Sequence, residues 1–310
     1  MLDVRRMKVL REVAARGSFS AAAESLSFTQ SAISQQVAAL ERETGTTLLE
    51  RGARGVRLTD AGRALVAHTE AILCRIEDAE EELAALAGLR GGRLRLACFQ
   101  SAGATLVPRA VAAFHERHPD VELSMIESEP SEAKEQLRSG EIDLALIYDY
   151  APLRESLMDS LETFHLIDDT YDLVLPAGHP LAERRRVRLA DVADEPWISS
   201  GRRNGCRAIV ERACADAGFD LKVAFEADET MASQALVAAG VGVTIFPRLA
   251  LNPLHPGVVA RSLGKDAPVR RIWAARQAEA FRSPASEAMV QILCDVAEEF
   301  RQSEPLAAVS

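Results

Sequence analysis

Four uncharged polar residues, Gln30, Ser31, Ser34 and Gln35, fall within two turns of one segment, while Ile33, Val37 and Leu40 recur at i, i+4 and i+7. On a helix this spacing collects the apolar set on one stripe and leaves the amides and hydroxyls on another. A glutamine amide pairs bidentately with the major-groove edge of adenine, and a serine hydroxyl donates or accepts at base edges. The chemistry of such a face is recognition of bases. Three arginines follow within residues 48–58, Arg51, Arg54 and Arg57, around Gly52 and Gly55. Guanidinium groups beside a glycine-rich turn reach phosphates or a minor groove.

Other chemistry finds less support. The six histidines, His68, His115, His118, His165, His179 and His255, stand at no metal-ligand spacing with the cysteines. No Gly-x-Ser-x-Gly elbow, phosphate-binding loop or dinucleotide-binding glycine pattern occurs. The expectation is therefore no catalytic residue, no metal and no cofactor. Cys206 and Cys214 are separated by a stretch that reads as helix. Eight helical residues place the sulfurs roughly 12 Å apart along the axis, whereas a disulfide needs Cα atoms within ~7 Å. Packing rather than a redox switch is the reading for this pair.

The recognition face needs elements to hold it. A first helix reads over 4–16 and ends at Gly17, a second over 21–26 with Ser20 as its cap, and a third over 30–44 between the cap Thr29 and the stop Gly45. A short helix, a tight turn and a polar-faced helix make a helix-turn-helix. Residues 48–58 read as two extended pieces joined by a turn, a wing. Residues 59–89 then form one long helix capped by Thr59. Its positions Leu65, Thr69, Ile72, Ile76, Ala79, Leu83 and Leu86 follow a 4–3 spacing. That is a heptad seam suited to self-pairing. Arg90-Gly91-Gly92-Arg93 breaks the helix, and apolar runs at 93–98, 121–126, 142–148, 172–175, 223–225 and 241–246 alternate with helical stretches. This texture predicts parallel or mixed sheets flanked by helices, closing with a helix from Pro284 to about 302.

Charge supports the division. The whole chain of 310 residues carries −10, with 36 basic and 46 acidic side chains, a balance that by itself argues against DNA. Residues 1–58, however, hold nine basic and six acidic side chains, so the first segment is positive and the excess of acid lies in the rest. The asymmetry says more than the total. No apolar run is long enough for a membrane span, the N-terminus lacks the apolar core of a signal peptide, and five cysteines suggest no disulfide framework. The expected location is the cytoplasm.

Residues 1–65 resemble the winged helix-turn-helix of LysR-type transcriptional regulators. The resemblance rests on Phe19-Ser20-Ala21-Ala22-Ala23, residues 29–37 (Thr-Gln-Ser-Ala-Ile-Ser-Gln-Gln-Val), Leu40-Glu41, Gly45, Leu48-Leu49-Glu50-Arg51 and Leu58-Thr59-Asp60-Ala61-Gly62. It implies that Gln30, Ser34 and Gln35 face bases while Ser31, Arg51 and Arg54 position or read the grooves, with Ser20, Thr29 and Arg57 completing the DNA-binding set. Gln35 departs from the family pattern, where many members carry arginine, which lowers the expected non-specific affinity.

For the remainder, the resemblance implies an α/β sensor with the two-subdomain architecture of a periplasmic binding protein, preceded by an all-α winged helix-turn-helix and a linker helix. The implied division is a DNA-binding domain over 1–58, a dimerisation helix over 59–89, a hinge at 90–93, an effector domain over 94–304 and a tail at 305–310. Within the effector domain, subdomain I covers about 94–165 and 267–304, and subdomain II about 166–266. A small molecule is expected in the cleft, beyond strand ends and at helix starts. The candidates there are Gln100, Ser101, Tyr148, Asp149, Ser199, Ser200, Asp228, Met231 and Pro247. The implied partners are double-stranded promoter DNA, a small-molecule effector and further copies of the chain as homodimer or homotetramer, with no membrane. The alternative is a solute-binding sensor without a DNA-reading role.

Overall fold

The computed structural model describes residues 1–52, 55–86, 92–150, 160–201, 205–278 and 282–303. The chain divides into two compact units, residues 1–92 with 135–143, and residues 93–134 with 144–310.

In the first unit, α1 (Val4–Arg16), α2 (Phe19–Ser25) and α3 (Gln30–Thr44) precede a hairpin of β1 (Leu49–Gly52) and β2 (Gly55–Leu58), and α4 (Asp60–Leu86) follows. Local chemistry sets the boundaries. Asp3 accepts the N–H of Arg5 at 2.8 Å and Thr29 that of Ala32 at 3.2 Å, satisfying donors that a helix start leaves open. Gly17 and Gly45 end α1 and α3 at φ 64° and 66°, a region that favours glycine. Helix α2 departs from expectation. Its cap is Ser18, whose Oγ accepts from Ala21, and Ser20 lies exposed within the helix. The helix starts two residues early because the Phe19 side chain joins the core with Ala22 and Ala23. That core also takes Met7, Leu10 and Val13 from α1 and Ile33, Val37 and Leu40 from α3.

The hairpin pairs Glu50 with Arg57 and Arg51 with Val56. Glu41 fixes its start, Oε1 accepting the N–H of Leu48 at 2.8 Å and of Leu49 at 3.3 Å. The N–H of Val56 donates to the carbonyl of Gly17 at 3.1 Å and ties the hairpin to the end of α1. Thr59 caps α4 by accepting from the N–H of Gly62 at 3.0 Å. The expected seam along α4 splits in two. Leu65 and Thr69 are 8% and 0% exposed, so they serve the core of their own unit and are not open to a partner. Ile72, Ile76 and Leu83 are exposed and flank a shallow apolar groove with Ala79. The side chain of Leu86 and the tip residue Arg54 lie outside what is described.

The second unit begins with β3 (Gly92–Cys98), a short α5 (Gln100–Gly103), α6 (Leu106–Arg117), β4 (Val121–Glu127) and the first turns of α7 (Pro130–Ser139). It continues with β5 (Leu144–Asp149), β6 (Leu161–Pro176), β7 (Trp197–Ser199), α8 (Gly205–Asp216), β8 (Val223–Glu226) and α9 (Thr230–Ala238). The last elements are β9 (Thr244–Pro247), β10 (Val258–Ser262), β11 (Val269–Gln277) and α10 (Pro284–Ser303).

The main sheet runs β10-β6-β11-β5-β3-β4, with β9 also on β6, while β7 and β8 pair parallel beside it. β3 lies parallel to β5, and β11 lies antiparallel to both β5 and β6. Strand β6 is far longer than the run at 172–175 that hydropathy picks out. From Leu161 to Thr170 it pairs with β11, and from Tyr171 to Pro176 with β9 and β10. Two hydrophobic cores form along it. One gathers Leu96, Phe99, Phe114, Leu146, Ile272 and Leu293, the other Tyr171, Leu173, Leu189, Trp197, Cys214 and Ile245. This is a two-subdomain α/β fold. Among the described residues, no helix is long and apolar enough to cross a membrane.

Candidate functional site

In the first unit, α3 presents its polar face as the spacing requires. Ile33, Val37 and Leu40 are buried, whereas Thr29, Gln30, Ser31 and Gln35 are exposed and Ser34 is half-buried. Thr29 Oγ1 and Ser31 Oγ lie 3.0 Å apart, so the cap and the first exposed hydroxyl form one polar start to the helix. Gln36 is committed elsewhere, its Oε1 accepting from Arg6 Nε at 3.3 Å. Arg57 is exposed on β2 opposite Glu50, and Arg51 lies on β1.

The second unit holds a cavity of about 1360 Å³. Its wall includes Tyr148 and Asp149 at the end of β5, Glu129 at the head of α7, Ile209 and Arg212 on α8, and Asp228 before α9. Of the nine cleft candidates, Tyr148, Asp149 and Asp228 therefore share one space. The other six do not line it. Gln100 is exposed and its Oε1 accepts from Thr230 Oγ1 at 3.3 Å. Ser101 is buried, with Oγ accepting from Arg270 at 2.6 Å. Ser199 is buried, Ser200 gives its carbonyl to Arg207 at 3.1 Å, Met231 is exposed on α9, and Pro247 is buried opposite Tyr171. The Ser101 hydroxyl is thus engaged by a buried cation.

That cation, Arg270, is the centre of a buried network absent from the sequence reading. Its Nε donates to Asp169 Oδ2 at 2.9 Å, and both side chains are nearly inaccessible. Asp169 Oδ1 accepts the N–H of Leu249 at 3.2 Å, and the guanidinium lies 4.9 Å from the Phe99 ring centroid and 5.2 Å from that of Tyr148. The three tyrosines of the chain converge here. Tyr148 donates to Glu129 Oε2 at 2.6 Å, and the hydroxyls of Tyr150 and Tyr171 are 2.6 Å apart. Burial, reinforced by Cys206 nearby, holds all three phenols well above the ordinary range, so they act as protonated donors. The rule that ligands gather beyond strand ends and at helix starts finds Tyr148, Asp149 and Asp228. The candidates drawn from it omit Glu129, just ahead of α7, and Arg212 on α8.

None of the five cysteines is in a disulfide. Both Cys206 and Cys214 lie on α8, as the helical reading of their spacing requires. Burial, with Glu127 adding to it, pushes the Cys98 thiol up to about 11, and burial with Glu211 pushes Cys214 up to about 12. Thiolate is the reactive form. Native alkylation with iodoacetamide near neutral pH should therefore leave both unmodified by mass spectrometry until the protein is unfolded. Rapid native labelling of either would contradict this.

Comparison with known proteins decides the family. Residues 4–63 match the bacterial regulatory helix-turn-helix protein, lysR family, and residues 87–298 match the LysR substrate binding domain. A probable HTH-type transcriptional regulator, LrrA of Synechococcus elongatus, is 35% identical over 97% of this chain and 99% of its own. The chain belongs to the LysR family of transcriptional regulators.

As a LysR-type regulator it is a DNA-binding protein with an effector-binding domain, which removes the alternative of a solute-binding sensor without a DNA-reading role. The fold agrees. A full-length OxyR from Pseudomonas aeruginosa superposes with a TM-score of 0.72 at 24% identity, covering 96% of this chain and 95% of the other. Full-length CbnR, solved in complex with its target DNA, gives 0.72 at 23% identity over 95% and 100%.

Proposed function

We propose that α3 is the recognition helix of this LysR-type regulator. In this reading it lies in the major groove with Gln30, Ser34 and Gln35 toward base edges and Ser31 toward the backbone. Arg51, Arg54 and Arg57 of the wing contact phosphates or an adjacent minor groove. The observation that carries the assignment is the division of α3 into a buried apolar stripe and an exposed polar, uncharged face. The exposed apolar groove of α4 supports pairing of two copies as a homodimer, itself a building block for a tetramer, on an inverted-repeat promoter element. A small molecule in the cavity of the second unit would shift the arrangement of subunits and hence the DNA contacts. The regulator acts in the cytoplasm and performs no catalysis, a reading supported by its relatives being transcriptional regulators.

The test is sequence preference, not affinity alone. Against a site selected from random duplexes, the Gln30→Ala/Ser34→Ala variant should lose about 10–100-fold in its ratio of specific to non-specific binding, each good base contact contributing about 1–3 kcal/mol. Non-specific affinity should hold, because phosphate contacts supply it. An unchanged preference in anisotropy titrations would remove the base-reading assignment.

A further inference from the structure

The cavity wall states what charge it accepts. Asp149 lines it with a side chain only 1% exposed, and neither carboxylate oxygen accepts a hydrogen bond. Arg271 Nε stands 3.2 Å from Oδ1, an ion pair without hydrogen-bond geometry. A buried carboxylate without hydrogen bonds is costly, and a positive charge held close to it would relieve that cost. Beside it, Glu129 takes the Tyr148 hydroxyl and Asp228 takes the N–H of Gly201 at 2.9 Å, so both remain as charged acceptors on the wall.

Two of the three cations on the described wall are already engaged, and the third, Lys265, is exposed. Among the described lining residues five carboxylates face three cations, and two of those cations are bound by acids, Arg188 by Asp191 and Arg212 by Asp216. Arg270, behind Tyr148, is closed by Asp169 and Ser101. The N-terminus of α9 carries its own carboxylate, Glu229, which accepts from the N–H of Ala232 at 2.8 Å. The rest of the wall is apolar, with Leu189, Ile209 and Val269.

We infer that the cavity selects an organic cation, an amine or guanidine on an apolar body, held by the Glu129 carboxylate and by the charge of Asp149 behind the wall, beside the ring of Tyr148. The inference rests on the reading of this cavity as the effector site. Three probes that share a body and differ in head group test it: phenethylamine, 2-phenylethanol and 3-phenylpropionate, each titrated calorimetrically into the full-length protein. The amine should bind saturably and about tenfold or more tighter than the other two. Asp149→Asn should weaken it about tenfold or more. Glu129→Gln, a change at an exposed position, should weaken it in the same direction if Asp149→Asn fails to fold.

Equal or tighter binding of the alcohol or the carboxylate overturns the inference. So does amine binding indifferent to both variants, and so does no binding of any probe up to about 10 mM, a limit that corresponds to a very weak complex. An Ile209→Trp variant, which intrudes into the cavity, separates this failure from that of the effector reading. If it abolishes binding of the carboxylate, the cavity remains a ligand site and only the charge class falls. If no probe responds to it, the effector site itself falls.

Discussion

Replacing Gly62 with alanine is expected to destabilise the N-terminal unit by about 3 kcal/mol and lower its melting temperature by roughly 10–20 °C. The reason is a single crowded point. A Cβ at residue 62 would stand 2.1 Å from the carbonyl oxygen of Leu48 and 2.9 Å from Cδ2 of Leu58. The oxygen cannot move aside, since it accepts the N–H of Thr59 at 3.0 Å, the bond that joins the start of α4 to the start of the wing. Alanine must separate these two elements, and with them the Glu41 hydrogen bonds that hold Leu48 and Leu49. DNA binding should fall together with stability. Gly178→Ala is the control, because nothing lies within 4 Å of its added Cβ and its φ is ordinary. That change should stay within about 0.5 kcal/mol. Calorimetry in which the two variants melt alike would refute the steric account.

Arg270→Met should cost the second unit about 3–5 kcal/mol, measured by urea unfolding. The methionine fills the space over Phe99 and Tyr148, yet it leaves the Asp169 carboxylate buried without its cation. Burial pushes the Asp169 carboxyl up, and Arg270 opposes that shift, so removing the cation removes what keeps the group charged. The double variant Arg270→Met/Asp169→Asn should recover much of the loss, because the amide retains an acceptor for the N–H of Leu249 and carries no charge. A coupling of about 2 kcal/mol or more between the two sites is the expected signature. Simple additivity would show that the pair contributes packing alone.

Legibility from sequence follows the range of the forces involved. The three helices of the DNA-binding unit are readable because caps, glycine stops and an i, i+4, i+7 stripe all act within a few residues. The one slip, Ser20 for Ser18, arose where two serines flank Phe19 and only burial of the ring decides between them. Strands β6 and β11 resist such reading. Glu162, Asp169, Arg270 and Arg276 look like solvated breaks in apolar runs, yet they face each other across the two strands, Arg276 opposite Glu162 and Arg270 opposite Asp169. Cross-strand partners make these positions compatible with a buried sheet, and nothing local announces the partner. The seam on α4 fails differently. Heptad spacing identifies the apolar stripe, but only tertiary packing reveals that Leu65 and Thr69 are already covered while Ile72, Ile76 and Leu83 are open. In the cavity, Tyr148 and Asp149 are found at a strand end and Asp228 ahead of a helix, whereas Ile209 and Arg212, along the face of α8, are missed.

Strand β6 passes from one hydrophobic core into the other, with one bulge at Leu166. Beyond the bulge, from Ile167 to Pro176, the two cores share one register, and a slip of one residue to suit one set of neighbours turns the inward side chains of the other set outward. Each core therefore checks the alignment of its companion as the chain orders. Neither lobe can settle into a wrong pairing without being penalised at a distance, and neither can melt alone while the other keeps the strand straight. In folding the two lobes are a single cooperative object.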